Sequence, residues 1–469
     1  MLPLSIQAVP YYPPRGWVQL LAAAAKQPYA VIFDSALEGS LATHSFVSFA
    51  PVMLLQCTGQ TASWQRGRNA SRLEGDPLAV FERIERFTGQ ECPLREPFEG
   101  TGFFGGWAGM LGYDLRCFVE TLAPPRPGGP LFPDLQAAFY PWTLALEHAT
   151  GKCDLRLLQG TPGGPEDIGK LAAELDALFT AEDEPLPSAG QADPQFCTDR
   201  EAWLKAVMDV QSAIREGDIY QANLTRMVVR AGDYDAAALY AVLRSENPAP
   251  FGGFLDCGEG RSILSSSPER FLSVRDGVIE TRPIKGTRPR GADSTQDQHL
   301  RSELLHSEKD HAELTMIVDL ERNDLGRVCK AGSVEVPSLM HVESYRRVHH
   351  LEATVRGELN DGITPMQYIR ATFPGGSISG APKKRALEII HELEPVRRGP
   401  YTGSMFWLTP DGRFESNILI RTLLREPLKL SYHVGCGIVA DSDPEAEWDE
   451  SLAKAAALES AIERYTGTE

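Results

Sequence analysis

The chain has 469 residues, 42% of them hydrophobic and 23% charged, enough for a large buried core in one or two domains. Its formal net charge of −18 argues against nucleic acid and anionic membrane as partners, and no apolar run reaches the roughly 18 residues that would span a bilayer. The 8 cysteines are scattered with no Cys-x-x-Cys pair, which predicts free thiols in a reducing cytoplasm rather than a disulfide framework or a zinc site, and residues 1–6 show no secretory leader.

From the N terminus, apolar runs at 29–33 and 135–146 read as strands between turns. Residues 181–197 are acidic and proline-rich without apolar periodicity, which predicts a linker between a region 1–180 and a region 198–467. Asp199 is placed to cap a helix with the stripe Trp203, Val207, Val210 and Ile214, stopped by Gly217. A strand is predicted over 219–225. Alternation puts Tyr220, Ala222 and Leu224 on one face and Gln221, Asn223 and Thr225 on the other. Such a polar face is ordinarily wet; the alternative is that it lines a site.

Residues 281–290 read Thr-Arg-Pro-Ile-Lys-Gly-Thr-Arg-Pro-Arg. Lys285 has little carboxylate company in sequence, and its near neighbours Arg282 and Arg288 are cations. Free lysine, with a pKa of about 10.4, is a poor nucleophile at neutral pH. Neighbouring positive charge or desolvation would lower that value and free the amine to attack. Alone, these residues equally allow a solvated lysine in a basic loop.

A helix is predicted over 307–327, with Glu313 sharing a face with Met316, Ile317 and Leu320. An acid on an apolar face needs a cation, a hydrogen-bond partner or a metal; an ion pair with Arg322 or Arg327 is the plain alternative. The last helix opens at Pro444, with Trp448, Leu452, Ala455 and Ile462 as its packing stripe and Glu447, Glu450 and Lys454 on another. Glu450 and Lys454 can form an ordinary i,i+4 pair. The other reading is that Glu450 and Glu313, with Glu447, offer oxygen ligands to one Mg²⁺. Residues 374–385 run from a Gly/Ser loop through Pro382 into a helix, a place for free backbone N–H groups to meet an anion. Cys436, between Gly435 and Gly437, reads as a small filler rather than a nucleophile.

Taken together, these segments resemble the chorismate-utilising enzymes. Residues 283–287 match the Pro-Ile-x-Gly-Thr signature, 319–328 the Asp-Leu-x-Arg-Asn-Asp helix, and 375–383 the Gly-Gly-Ser-x-Ser-Gly-Ala-Pro-Lys element. Ser-Pro-Glu-Arg at 267–270, Ile-Arg-Thr at 420–422 and Gly-x-Gly at 435–437 match as well. Matching covers nearly all of 198–467 and is short before 180. The implied fold is α+β: two large, mostly antiparallel sheets packed face to face with outer helices.

In the family, the residue at x of the signature sorts the members. Anthranilate-forming members usually carry alanine; the aminodeoxychorismate synthase component I branch usually carries lysine. The resemblance therefore implies amination of chorismate, with Lys285 attacking carbon 2, Glu269 as general acid on the departing carbon 4 hydroxyl, and His350 in proton handling. It implies Mg²⁺ on Glu313 and Glu450 with Glu447 nearby. Substrate contacts fall to Arg421, Tyr401, Ser377, Gly435, Gly437, Lys454, Thr287 and Gln221. Water-adding relatives carry a lysine base at the Gln221 position. Ammonia is expected from a separate glutaminase subunit, because no glutaminase motif is present. Ser35 matches an element that lines a tryptophan pocket in regulated members. The rival expectations are anthranilate synthase component I and a non-catalytic glutaminase-binding subunit.

Overall fold

The computed structural model describes residues 3–37, 39, 41, 43–180, 193–345 and 348–467. Two twelve-stranded sheets form among them, with antiparallel pairing along their length. One runs from Ser5–Pro10 at one end to Gln195–Phe196 at the other; the second runs from Ile284–Pro289 to Asn69–Glu74. Their inner faces meet in a core that includes Val31, Phe46, Ala108, Met110, Leu255 and Trp407. Helices cover both outer faces. The α+β sandwich expected from the sequence is the fold observed.

Each sheet draws strands from both sequence regions. Val31–Asp34 pairs with Phe251–Gly258 in the first sheet, and Gly106–Leu111 with Ser404–Leu408 in the second. Residues 1–180 are therefore woven into the same two sheets as 198–467 and do not stand as a layer of their own. Much of the predicted linker lies outside the described residues. Its end does not behave as one: Gln195–Phe196 is an edge strand on Val228–Val229.

The helix after Asp199 spans Arg200–Arg215, and the Asp199 side chain accepts from the Ala202 N–H. The following strand is longer than expected, Gln221–Ala231. Tyr220 precedes it and is exposed. Its polar face is not wet: Gln221, Asn223 and Thr225 are all buried, because that face turns toward the interior of the sandwich. The last helix spans Pro444–Thr466. Its packing stripe is Ser451, Ala455, Leu458 and Ile462, whereas Leu452 is exposed. All 8 cysteines are free, and no described helix is long and apolar enough to cross a membrane.

Candidate active site

The candidate site forms where Ile284–Pro289, an end strand of the second sheet, comes against Gln221–Ala231 and Lys429–Ile438 of the first. Lys285 Nζ donates to the Ser377 carbonyl at 3.4 Å. It lies 3.6 Å from the point a Cβ on Gly437 would occupy, and the Gln221 amide nitrogen lies 2.6 Å from the same point. Any side chain at 437 would strike Gln221 and fill the space before Lys285. Gly435 is required for the same kind of reason, since its Cβ would fall 2.2 Å from the Leu224 carbonyl oxygen. Gln221 is buried and both of its amide heteroatoms lack a protein partner, as expected of a group facing ligand or ordered water.

The arginines beside Lys285 do not crowd it. Arg282 pairs with Glu280 and Arg288 with Glu303, each at 2.7 Å. The lysine's company in space is acidic: it pulls down the carboxyls of both Glu269 and Glu313. The sequence expectation of a lysine flanked by repelling cations is thereby corrected. Ion pairing takes the arginines away, and folding brings in acids that are distant in sequence.

Glu269 is buried, and burial lifts its carboxyl to about 7 against smaller pulls from Ser377, Lys285 and the Ile284 N–H. That N–H donates to Glu269 Oε1 at 3.4 Å. The Ser377 hydroxyl approaches without reaching hydrogen-bonding geometry, and its Oγ has no partner. A carboxyl in this state holds its proton near neutral pH, as a general acid must. His350 is buried too, and its Nδ1 sits 2.9 Å from Thr287 Oγ1. Burial, with Arg421 and His349 adding to it, drops its pKa to about 3. The imidazole is therefore neutral and suited to accept or share a proton rather than to act as a cation.

Arg421 lies close enough to His350 to help lower its pKa. Its side chain reaches solvent yet is surrounded by protein, and burial lowers its pKa. It has no ion-pair partner among the described residues, and its φ of 49° is a left-handed conformation unusual for a side chain of this size. An unpaired guanidinium held this way is suited to grip a carboxylate. Tyr401 is buried and stacks on His433 with ring centroids 5.0 Å apart. Burial pushes its phenol up to about 12, so it remains a donor, and Lys454 lies near enough to oppose that rise.

At the other side of the cleft, ligand atoms of Cys436, Glu447 and Glu450 lie within 4.8 Å of one another. Lys454 pairs with Glu450 at 2.7 Å and donates to the Gly435 carbonyl at 2.9 Å. The i,i+4 pair forms, and Glu447 and Glu450 cluster beside it. Glu447 is buried and accepts from Ser442 Oγ at 2.7 Å. Glu313 does not pair with Arg322 or Arg327, which go to Asp319 and Asp324; its nearest cation is Lys309 at 3.9 Å. Burial raises the Glu313 carboxyl, and Asp310 and Glu450 add to that rise. For Glu450 burial would raise the value, but Lys454 outweighs it and holds the carboxyl low. Burial pushes the Cys436 thiol up, and sulfur is not a ligand that a hard cation such as Mg²⁺ selects. Glu447 and Glu450, on one helix, offer hard carboxylate oxygens of the kind Mg²⁺ takes, while Glu313, on another helix, stands outside that cluster though close enough to feel the charge of Glu450.

Two acids in the site escaped sequence reasoning. Glu321 and Glu352 are buried, with burial raising their carboxyls to about 8 and about 7. For Glu321 the signal was present: it follows Ile317 by four residues and Val318 by three, both core positions. Ser35 lies elsewhere. It lines a cavity of about 610 Å³ with Phe33, Asp34, Pro250 and Arg270, and its hydroxyl donates to the Pro250 carbonyl at 2.9 Å.

The chorismate binding enzyme family matches residues 23–460. Aminodeoxychorismate synthase component 1 of Klebsiella aerogenes is 37% identical over 431 residues, covering 91% of this chain and 92% of that one. Anthranilate synthase component 1 of Thermus thermophilus is 41% identical over 407 residues, 84% of each. The crystal structure of anthranilate synthase component I from Streptococcus pneumoniae superposes with a TM-score of 0.78 at 28% identity, over 90% of this chain and 93% of that one.

Proposed function

Because this chain belongs to the chorismate binding enzymes, we propose that it is the large subunit of an aminodeoxychorismate synthase, joining chorismate and ammonia to give 4-amino-4-deoxychorismate and water. The observation that carries this reading is Lys285. It stands in the family signature where anthranilate-forming members usually have alanine, and its Nζ lies 3.6 Å from the place a Cβ on Gly437 would take, beside Gln221. Gln221, unlike the lysine of water-adding relatives, cannot serve as a general base.

Arg421 and Tyr401 grip the enolpyruvyl carboxylate, and Lys454 adds positive charge near the ring carboxylate beside Gly435 and Gly437. Lys285, as the free amine with its ammonium proton first released to solvent, attacks carbon 2 while the double bond shifts and the carbon 4–oxygen bond breaks, and its nitrogen carries the positive charge until the amine leaves. Glu269 gives its proton to the departing hydroxyl, which leaves as water. Ammonia then bonds to carbon 4, the lysine leaves carbon 2, and the proton of the new ammonium returns to Glu269. Two allylic steps replace one difficult substitution. Glu313 and Glu450, with Glu447, would hold Mg²⁺, which when bound neutralises the ring carboxylate and withdraws electrons from the ring. Ammonia comes from a separate glutaminase subunit. The cavity beside Ser35 is a separate place, where the tryptophan expectation is to be tested.

The second reading, anthranilate synthase component 1, draws on the 41% identity to the Thermus thermophilus relative. Product analysis separates the two. The purified chain with chorismate, Mg²⁺ and an ammonium salt should give a compound that a lyase converts to 4-aminobenzoate. Anthranilate as the main product would overturn the reading.

A further inference from the structure

Arg398 takes no part in the chemistry above, yet three segments of the site meet on its guanidinium. It is 1% exposed. Among the described residues its ion-pair partner is Glu394, which accepts from Nε at 2.9 Å and from one terminal nitrogen at 2.7 Å. That pair uses two of the five N–H groups a guanidinium carries. The others donate to the Asn223 carbonyl at 2.6 Å, the Ile378 carbonyl at 3.1 Å and Thr402 Oγ1 at 3.2 Å. Each acceptor adjoins a residue expected to touch the substrate. Asn223 lies two residues after Gln221 in one strand, Ile378 follows Ser377 in the short turn Gly376–Ile378, and Thr402 follows Tyr401. Glu394 in turn accepts from the Thr225 N–H at 2.9 Å and the Thr225 hydroxyl at 2.8 Å, so the strand is held by both members of the pair.

The link to Tyr401 is the most direct. The Thr402 hydroxyl accepts from Arg398 and donates to the Tyr401 carbonyl at 2.6 Å. Thr402 has a φ of 59°, a left-handed conformation that a β-branched residue rarely takes. Hydrogen bonds thus hold an unfavourable backbone shape in the stretch that carries the Tyr401 ring against His433. We propose that Arg398 is a positioning residue for chorismate: acting through Thr402, it fixes Tyr401 in register with the turn that carries Ser377, so that the substrate carboxylate meets a preset grip. This rests on the contact proposed above between Tyr401 and that carboxylate. A buried ion pair is in itself a weak source of stability. A planar fork, however, can hold several acceptors at fixed angles where an ammonium cannot. Consistent with its closeness, the charge of Arg398 opposes the rise that burial imposes on the Tyr401 phenol.

The test separates KM from kcat for chorismate, both read from chorismate loss with Mg²⁺ and an ammonium salt. Thr402→Val keeps the branched shape and removes the hydroxyl; Thr402→Ser keeps the hydroxyl. Thr402→Val should raise KM roughly tenfold with kcat within about twofold, because a loosened carboxylate grip is lost equally from ground and transition states. Thr402→Ser should stay close to wild type. Arg398→Lys should raise KM in the same way, and adding Thr402→Val to it should cost little more, as for residues acting in one chain. A wild-type KM in Thr402→Val, or a fall in kcat at unchanged KM, the mark of lost folded protein, overturns the proposal. Where Arg398→Lys fails to fold, the two Thr402 variants decide. Calorimetry with chorismate and no ammonia repeats the comparison without amination: Thr402→Val should bind more weakly at full stoichiometry, and full affinity at reduced stoichiometry would contradict the role. Neither readout depends on the product, so an unexpected product would break the proposed function and leave this positioning role standing.

Discussion

Glutamates on the two sides of the cleft stand in opposite states. Glu269 and Glu321 are buried, no cation among the described residues hydrogen-bonds to them, and burial lifts their carboxyls to about 7 and about 8. Toward the mouth, Glu450 has Lys454 at 2.7 Å and its carboxyl is held low. In the function proposed above, the same side chain would serve as a proton donor in one place and a Mg²⁺ ligand in the other. Burial and the presence of a lysine decide which.

The largest break in this contrast should come from removing the donor. Glu269→Gln keeps the shape of the buried side and should lower kcat about 10²- to 10⁴-fold, the usual worth of general acid catalysis, in a steady-state assay with ammonia. Arg421→Lys comes next. It keeps the charge but loses the planar fork, which should cost about 1.5–3 kcal/mol of carboxylate binding, or roughly ten- to a hundredfold in the KM for chorismate. On the other side, Glu450→Gln should weaken Mg²⁺ binding by roughly tenfold or more. Calorimetry with Mg²⁺ alone reads this directly, and unchanged binding would remove Glu450 from the ligand set.

The buried side also sets a pH dependence of stability. A carboxyl that titrates at about 7 or 8 when folded and near 4.5 when unfolded binds more protons in the folded state. Its contribution is therefore full below about 4.5 and is lost as pH rises through the folded values. Thermal melts should show wild type losing more stability between pH 6 and pH 8 than Glu321→Gln does. The smallest effect is expected far from either side: Leu452→Ala, at an exposed helix position, should change stability by no more than about 0.5 kcal/mol.

The sequence carried much of this site because its residues sit in short, unusual strings. The signature around Lys285, the Gly-x-Gly at 435–437 and the acids on two helices could all be named in advance. The strings did not convey what lay opposite them. Arg282 and Arg288 looked like neighbours of Lys285, but ion pairs with Glu280 and Glu303 turn them away. Gln221, Asn223 and Thr225 looked like a wet face because alternation shows which residues share a side, not which side is buried. The linker read at 181–197 ends in a paired strand because backbone pairing needs no sequence motif. Glu321 was overlooked although its spacing from Ile317 and Val318 put it on the buried face. The joining of strands from 1–180 with those from 198–467 is long-range pairing, which local pattern cannot express.

The central claim is that Lys285 attacks the ring, and the most direct measurement is intact-protein mass spectrometry of a reaction quenched without ammonia. Wild type incubated with chorismate and Mg²⁺ should carry an adduct equal to chorismate less one water, located on Lys285 by peptide mapping and absent from Lys285→Ala. Wild-type protein that turns over chorismate with ammonia yet shows no adduct, or an adduct that persists in Lys285→Ala, would contradict it.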